Sequence, residues 1–547
     1  MYLAFFSSFA KFIIFLCTIV FSASADHTHE DFLQCLVSQI ANSTSTSESI
    51  IYTPNDPSYF YVLNSSIRNH RFVSLSTPKP FAIVTPFTVS HIQATVYCSK
   101  KHAIEIRTRS GGHDNEGLSY VSHVSFVVID LINLRFVSVD VESKSAWVQA
   151  GAMIGELYSR IAEKSRNLGF PAGDCHTVGV GGQIGGGGYG YLTRKYGLAA
   201  DNILDAELID AQGRILDRES MGEDMFWAIR GGGPASFGIV TAWKLRLVSV
   251  PSIVTLFNVR RNMEDNATKK FVHQWQRRAD KVDEDLTIFI TFQTTSSIDK
   301  KGNKKILLEA SVRATYHGGI NRLLQLMEKE FPELGLIRRD CIQMRWVESF
   351  LYFNGFINGE SLDVLLDRTP NFDLLSYKTK SDYVKKAIPD DVLEGMLGRL
   401  YEEELGRSTI TLYPYGGKMN EISESTIPFP HRTGNLYKFL YFVQWQEEGN
   451  ITASRKHMSW IRRLYNYMTP YVSKNPRTVY LNFRDLDIGM NDNKGDTISS
   501  CVNITKSTIW GTKYFKNNFN RLIHVKTIVD PTNFFRNEQS IPPLVMH

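Results

Sequence analysis

The sequence lacks the features that mark several common classes of protein. Its 61 basic and 56 acidic residues nearly cancel to a net charge of +5, and no basic block is typical of a nucleic-acid-binding surface. Neither a P-loop of the form G-x-x-x-x-G-K-[ST] nor a G-x-S-x-G nucleophile elbow occurs, which excludes those two kinds of site. His113, Cys175 and His176 do not repeat the ligand spacing of a zinc site, so no metal is predicted.

Long apolar runs are also absent, apart from one near the N-terminus. Lys11 precedes the almost wholly apolar residues 12–21, and the small residues Ala23-Ser24-Ala25 follow them. This order is typical of a secretory signal, so we predict that residues 1–25 are removed. The run is shorter than the ~20 apolar residues of a membrane span, so no stable membrane anchor is predicted. We expect the protein to enter the secretory pathway and to reach the apoplast or the vacuole.

Cysteine is scarce, with six residues in the whole chain. Cys17 would leave with the signal, and five remain: Cys35, Cys98, Cys175, Cys341 and Cys501. Because five is odd, at least one cysteine must stay free, pair between chains or do something other than form a disulfide.

Sites for N-linked glycosylation are comparatively frequent. The pattern Asn-x-Ser/Thr, which is weak evidence singly, occurs at Asn42, Asn64, Asn266, Asn450 and Asn503. Together with a secretory signal, these sequons predict that several of the asparagines carry glycans.

The patterning of apolar residues predicts an α+β fold with two lobes, since the chain is too long for a single core. Between residues 80 and 250, short β-branched runs such as Phe126–Asp130 alternate with helical periods such as Met153–Lys164. After Pro251 the composition changes, and strand candidates such as residues 287–292 are interleaved with charged helices such as residues 392–404, which indicates an antiparallel sheet covered by helices. The predicted divisions are residues 26–252, 253–475 and 476–547.

Glycine is concentrated in two runs of the first lobe. Residues 173–190 hold the denser run, in which Gly185, Gly187 and Gly190 formally satisfy G-x-G-x-x-G, but no buried strand leads into them as in a dinucleotide-binding fold. A second run follows at residues 230–238. Backbone N–H groups of such loops can surround phosphates, so two runs favour a large phosphate-bearing cofactor over a flexible surface loop.

Several longer motifs resemble one family, the berberine-bridge-enzyme-like flavoproteins of plants, which have the vanillyl-alcohol-oxidase type of FAD-binding fold. The matching segments cover essentially all of residues 30–543 and include R-S-G-G-H at 109–113, C-x-T-V-G-V-G-G at 175–182, R-K-Y-G-L-A-A-D-N at 194–202, F-W-A-I-R-G-G-G at 226–233 and Q-S-I-P-P at 539–543. Within that family the chain looks similar to the cannabinoid oxidocyclases and to the mulberry flavoproteins that oxidise or cyclise prenylated phenols.

The resemblance implies a bipartite FAD-binding lobe, to which the C-terminal segment returns, and a second lobe that covers the substrate. It implies FAD attached twice, through His113 to the flavin 8α carbon and through Cys175 to C6. It also implies a Cys35–Cys98 disulfide, leaving Cys341 and Cys501 free. The remaining cofactor contacts it implies are Arg109, Ser110, Gly111, Gly112, Asp114, Thr177, Val178, Gly179, Gly181, Gly182, Gly187, Tyr189, Gly238, Ile239 and Asn533.

Three positions depart from the pattern of that family. The N-Y-R-D-L-D block, whose tyrosine is the base of the oxidocyclases, has Phe483, and phenylalanine cannot accept a proton. Gln183 stands where a histidine usually follows Gly181-Gly182, and Lys438 replaces the acidic residue after Tyr437. Oxidation would then use another base, for which the candidates are Tyr189, Tyr413, Tyr415 and Lys438, or would start from an ionised phenol that needs little help beside a cationic lysine.

These departures leave three functions open. The first is an oxidase or oxidative cyclase, in which a hydride passes from a phenolic substrate, such as a prenylated phenol, to flavin N5 and O2 is reduced to H2O2. The second is a redox-neutral Diels–Alderase, which needs orientation of two partners rather than a base. The third is a catalytically silent or carbohydrate-binding relative. We favour the oxidase, acting as a monomer on a small phenolic molecule.

Overall fold

The computed structural model describes residues 27–41, 50–298, 302–357, 359–404, 407–446, 451–491 and 504–544. The predicted signal at residues 1–25, Cys17 and Cys501 lie outside these ranges, as do the sequons at Asn42, Asn450 and Asn503. The other two sequon asparagines, Asn64 and Asn266, are exposed.

Eighteen strands are present in the described ranges. They are β1 (Ile51–Tyr52), β2 (Ala82–Val84), β3 (Glu105–Arg109), β4 (Phe126–Asp130), β5 (Val137–Asp140), β6 (Ser145–Gln149), β7 (Leu168–Gly169), β8 (Ile203–Ile209), β9 (Ile215–Leu216), β10 (Ile239–Arg246), β11 (Val248–Ser249), β12 (Val254–Asn262), β13 (Leu286–Ile298), β14 (Lys304–Tyr316), β15 (Cys341–Met344), β16 (Ser376–Val384), β17 (Ser408–Pro414) and β18 (Tyr437–Trp445).

The α-helices of the same ranges follow in chain order. They are α1 (27–41), α2 (Tyr59–Asn64), α3 (Val89–Lys101), α4 (Ile154–Lys164), α5 (Val180–Gly185), α6 (Thr193–Tyr196), α7 (Arg218–Ile229), α8 (Asn266–Arg278), α9 (Ile320–Glu330), α10 (Trp346–Phe353), α11 (Asp390–Gly398), α12 (Lys418–Glu421), α13 (Ile451–Met468), α14 (Ile504–Phe515) and α15 (Asn518–Val529). None of the described helices has the length and apolarity of a membrane span.

The first lobe is built on two sheets. One has the order β1-β2-β4-β3, with parallel pairing of β4 to β2 and β3, and the other is antiparallel with the order β5-β6-β10-β8-β9. All five residues of β4 are buried, as expected of a parallel strand covered on both faces. A disulfide joins Cys35 of α1 to Cys98 of α3, the pairing that the resemblance implies.

The second lobe is an antiparallel sheet of seven strands in the order β15-β12-β14-β13-β17-β18-β16. Along β14, Leu308, Ala310, Val312 and Ala314 pack into one apolar core, whereas the alternate residues face the other way. Helices α8, α9, α11 and α13 supply the rest of that core and cover one face of the sheet. The predicted α+β architecture, with an antiparallel sheet covered by helices, is confirmed.

The C-terminal segment contributes to the core of the first lobe. Trp510, Phe519 and Leu522 of α14 and α15 are fully buried against residues of the two N-terminal sheets. A separate aromatic cluster draws Tyr189 and Leu198 from the first lobe and Phe289, Tyr383 and Tyr415 from the second. The face of the seven-stranded sheet that carries no helices, called the uncovered face below, therefore packs against side chains of both lobes.

Candidate active site

A cavity of about 410 Å³ lies between the glycine-rich loops and the uncovered face of the seven-stranded sheet. Its walls come from four parts of the chain that are far apart in sequence: residues 106–119, residues 173–189, the second glycine run and the C-terminal segment. Tyr413 of β17 and Lys438 of β18 complete it from the second lobe. A volume of this size is typical of a site for an organic molecule.

Backbone rather than side chains forms one end of this cavity. A Cβ placed on Gly111 would lie 2.3 Å from the backbone nitrogen of Gly179, and one on Gly179 would lie 2.1 Å from Oγ of Ser110. The two loops therefore cross at a distance that only glycine allows. A Cβ on Gly182, which also lines the cavity, would meet nothing within 4 Å. Peptide groups are thus brought up to any ligand at this end, which suits a large cofactor.

The two predicted flavin anchors lie side by side at this end. Nε2 of His113 is 2.9 Å from Oγ1 of Thr177, and Sγ of Cys175 is 3.6 Å from the same oxygen. Both anchors line the cavity, and Cys175 forms no disulfide. Thr177 itself is fully buried and lies behind them. Its hydroxyl is therefore placed to orient the imidazole and the thiol together.

Burial shifts the pKa of both predicted anchors towards the uncharged form. Burial, helped by the nearby charge of Arg68, lowers the pKa of His113 to about 3, so the imidazole is neutral and keeps a lone pair for bond formation. Burial raises the pKa of the Cys175 thiol, while hydrogen bonds from Thr177 and the charge of Arg68 act in the opposite direction. A neutral imidazole and a thiol beside a backbone-lined cavity fit a flavin held by two bonds.

Fifteen of the predicted cofactor or catalytic positions besides the anchors line the cavity directly. They are Ser110, Gly111, Gly112, Asp114, Val178, Gly179, Gly181, Gly182, Gln183, Tyr189, Gly238, Ile239, Tyr413, Lys438 and Phe483.

Five predicted positions do not line the cavity, and the first of them, Thr177, lies behind the two anchors. Arg109 was expected to contact the cofactor, but its guanidinium points into the core and pairs with Asp130 at 2.6 Å, because alternate residues of β3 face opposite sides and Thr108 takes the cavity side. Gly187 packs against Phe429 and Leu198. Asn533 lies in the turn after α15, and the Tyr415 hydroxyl bonds to Tyr383 at 3.1 Å within the aromatic cluster.

Lys438 is enclosed by aromatic rings at the other end of the cavity. Its Nζ lies 3.9 Å from the ring centroid of Tyr480, 4.0 Å from that of Tyr189, and 5.0 Å from those of Tyr413 and Phe483. Among the described residues the amine has no hydrogen-bonding or ion-pair partner, although it is 1% exposed. Burial therefore lowers the pKa of Lys438 well below its usual range, opposed by the charge of Asp174.

The strand register explains how the lysine reaches this position. Lys438 lies directly opposite Tyr413 of β17 and Tyr383 of β16, so the three side chains form a row on the uncovered face of the sheet. The neighbours Leu412 and Phe439 point to the opposite face and join the helix-covered core.

The segment bearing Phe483 is held against the denser glycine run. The Tyr480 hydroxyl accepts hydrogen bonds from the backbone nitrogen of Gly188 and from Nδ2 of Asn482, both at 3.0 Å. Asn482 Nδ2 also donates to the backbone oxygen of Gln183 at 3.0 Å. The position at which the resemblance places a tyrosine base thus faces the cavity, with a phenyl ring in its place.

Sequence reasoning missed four residues that shape the site. Tyr480 forms part of the enclosure of Lys438, Arg68 acts on both anchors, Asp174 lines the cavity before Cys175, and Asn354 contacts the backbone on both sides of Cys175. Only Asp174 had a sequence signal, its place next to an anchor. The described residues contain no group of His, Cys, Asp or Glu side chains that could hold a metal.

Comparisons with known proteins agree with this geometry. An "FAD binding domain" family model matches residues 80–218, and a "Berberine and berberine like" model matches residues 479–542. Tetrahydroberberine oxidase from Berberis wilsoniae is 53% identical over 522 residues, 95% of each chain. Cannabidiolic acid synthase-like 1 from Cannabis sativa is 49% identical over 538 residues, 98% of this chain and 97% of that one.

Solved structures agree as well. BBE-like #28 from Arabidopsis thaliana, 48% identical, superimposes with a TM-score of 0.86 over 94% of this chain and all of its own. Phl p 4, a grass pollen allergen with glucose dehydrogenase activity, is 42% identical and has the same TM-score and coverage.

Proposed function

Because this chain belongs to the berberine-bridge-enzyme-like family of FAD-linked oxidoreductases, we propose that it oxidises a phenolic small molecule, in particular a prenylated one. FAD would be attached through His113 and Cys175 and would supply the hydride acceptor at N5 and the reaction with O2 that gives H2O2. Similarity to the cannabidiolic acid synthase-like proteins supports the choice of substrate class.

The observation that carries the proposal is the burial of the Lys438 amine among aromatic rings. A phenol has to lose its proton as the hydride leaves, and an ordinary lysine, already protonated, could not accept it. A lysine buried among rings, with no carboxylate contacting it in the described part of the chain, has a lowered pKa and is available as a neutral amine. Lys438 therefore takes the role that Phe483 cannot perform, and its amine opens onto the same cavity as both anchors.

The tyrosines around Lys438 are less suited to that role. Burial raises the pKa of Tyr189 far above its usual range, and its hydroxyl donates to the backbone oxygen of Pro414. Burial likewise raises the pKa of Tyr415, and this side chain does not line the cavity. The rings instead provide flat apolar surface for an aromatic substrate and exclude water from the amine.

A redox-neutral cyclase remains a second candidate, favoured by the phenyl ring of Phe483 on the cavity wall. A cycloaddition requires that a diene and a dienophile be held in orientation, and an apolar wall with one amine could do so without any proton transfer.

Incubation of the flavin-loaded protein with prenylated phenols distinguishes the two. An oxidase bleaches its flavin under anaerobic conditions and yields one H2O2 per product in air. A cyclase forms an adduct from a preformed diene and a dienophile without bleaching or peroxide, and that result would overturn the oxidase. No reaction with any phenol would overturn both and leave the silent or carbohydrate-binding relative.

The proposal places the enzyme in the secretory pathway, with the signal at residues 1–25 removed and the apoplast or vacuole as its destination. The Cys35–Cys98 disulfide supports an oxidising compartment, and the exposure of Asn64 and Asn266 is compatible with glycans there. The divisions at residues 252 and 475 and a monomeric state are part of the same proposal.

A further inference from the structure

We propose that Asn354 is a positioning residue that holds Cys175 for its attachment to the flavin, an inference that rests on the covalent FAD proposed above. Its amide oxygen accepts a hydrogen bond from the backbone N–H of His176 at 3.2 Å, and its Nδ2 donates to the backbone oxygen of Asp174 at 2.8 Å. One side chain thus binds the peptide groups on both sides of the anchor.

The segment around Cys175 lies between β7 and α5 and belongs to neither a strand nor a helix. Two backbone bonds hold its carbonyl groups: the N–H of Val178 donates to Cys175 at 3.3 Å, and the N–H of Gly155 donates to His176 at 3.0 Å. The Asn354 amide supplies the bonds to the Asp174 carbonyl and to the His176 N–H, on either side of the anchor. The imidazole of the buried His176 adds a third contact, with Nδ1 3.2 Å from the same amide oxygen.

Asn354 is itself held by α10, whose buried side chains Trp346, Phe350 and Leu351 belong to the core of the first lobe. It follows the last residue of that helix, its backbone N–H donates to the carbonyl of Leu351 at 3.1 Å, and its Nδ2 also donates to the carbonyl of Phe350 at 2.8 Å. Asn371 donates to its backbone oxygen. A helix that is distant in sequence from Cys175 therefore sets the position of this anchor.

Apart from the Thr177 hydroxyl, which it shares with Cys175, the His113 anchor has support of its own. Oδ1 of Asp114 accepts the backbone N–H groups of Glu116 and Leu118 at 2.9 and 3.1 Å, and Gly112 packs directly on the backbone of Ser66. None of these contacts involves Asn354. Loss of the Asn354 amide should consequently impair attachment at Cys175 and spare attachment at His113.

Attachment at Cys175 replaces the thiol hydrogen and one hydrogen of the flavin ring carbon by a C–S bond. The two protons and two electrons released reduce O2 to H2O2. The step requires the sulfur to stay within reach of that carbon, which is what the Asn354 amide secures.

The test uses full-length protein in a His113→Ala background, in which every covalently held flavin depends on Cys175. We expect Asn354→Ala to lower the flavin retained in acid-precipitated protein, and the flavin-bearing Cys175 peptide seen by mass spectrometry, by roughly tenfold, from the loss of two hydrogen bonds. In a Cys175→Ala background the same substitution should leave retention through His113 unchanged.

A matched control is Asn435→Ala, which removes a buried amide of the second lobe, bonded to the Arg432 carbonyl and remote from the anchors. Should Asn354→Ala not fold, Asn354→Asp keeps the acceptor for His176 and loses the donor to Asp174, so it makes the same test. Equal retention through Cys175 with and without the amide, or an equal loss at both anchors, would overturn the inference. Absence of covalent flavin in the His113→Ala parent itself would instead refute the double attachment.

Discussion

The two ends of the cavity are built by different means. At the flavin end, loops that only glycine can bring together present peptide groups and two reactive side chains. At the substrate end, the wall consists of large side chains from β17, β18, the residue 189 region and the C-terminal segment, gathered around one lysine. A side chain at Gly111 would collide with the backbone of Gly179, whereas a substitution at the second end changes the chemistry and leaves the backbone frame intact.

This difference suggests why the departures from the family pattern lie where they do. The anchors His113 and Cys175 match that pattern, while Lys438 and Phe483, on the side-chain wall, do not. The third departure, Gln183, is a side chain within the denser glycine run. A side chain can be exchanged where its neighbours are other side chains, which can adjust. The crossing of the loops at Gly111 and Gly179 has no such freedom, since it leaves no space for a Cβ.

The largest expected effect is the loss of covalently held flavin when both predicted anchors are removed. His113→Ala combined with Cys175→Ala should release all flavin into the supernatant on acid precipitation, whereas either substitution alone should leave the precipitate yellow. The measurement is the flavin absorbance of the two fractions. Release from the unmutated protein would show that the flavin end binds without a covalent bond.

A smaller but still large effect is expected at the substrate end. Lys438→Met should slow anaerobic flavin reduction by a phenol by about 10²–10⁴-fold, because the proton acceptor is lost. Tyr415→Phe is the control, since it removes a hydroxyl of the same aromatic cluster that bonds only to Tyr383. An equal loss in both variants would mean that the cluster matters and the amine does not.

The pH dependence of the same variant gives an independent measurement. Because the pKa of Lys438 is lowered on folding, the unfolded chain binds more protons between that value and 10.5, so stability rises with pH across this window. Lys438→Met should remove the acidic limb from the pH profile of flavin reduction and should raise the thermal midpoint at neutral pH. A lower midpoint would contradict the uncharged lysine.

The smallest expected effect is a difference in stability between substitutions at two glycines of the flavin end. Gly179→Ala places a methyl group 2.1 Å from Oγ of Ser110 and should cost about 1–3 kcal/mol of stability, seen as a lower thermal midpoint. Gly182→Ala meets nothing within 4 Å and should leave the midpoint unchanged. Equal midpoints for the two variants would show that the loops can separate.

Much of the fold followed from local patterns. The strand Phe126–Asp130 has the predicted bounds, and the helix predicted at 153–164 begins one residue later, at Ile154. The strand predicted at 287–292 continues to Ile298, because its long antiparallel pairing with β14 supports polar residues that have no apolar pattern. The helix predicted at 392–404 ends at Gly398 and continues as a 3₁₀ turn over Arg399–Glu402.

The sequence alone predicted the two anchors and determined the glycine-rich loops that lie beside them. His113 and Cys175 each lie within a contiguous motif, and runs of glycine indicate a close approach of the backbone whatever their tertiary surroundings. Only the tertiary structure decided that Arg109 turns away from the cavity, that four rings from distant segments enclose Lys438, and that Asn354 binds both peptide groups beside Cys175. The physical reason is that a side chain's charge and position are set by burial and by hydrogen bonds between distant segments. The residues next to it in the sequence do not determine either of these.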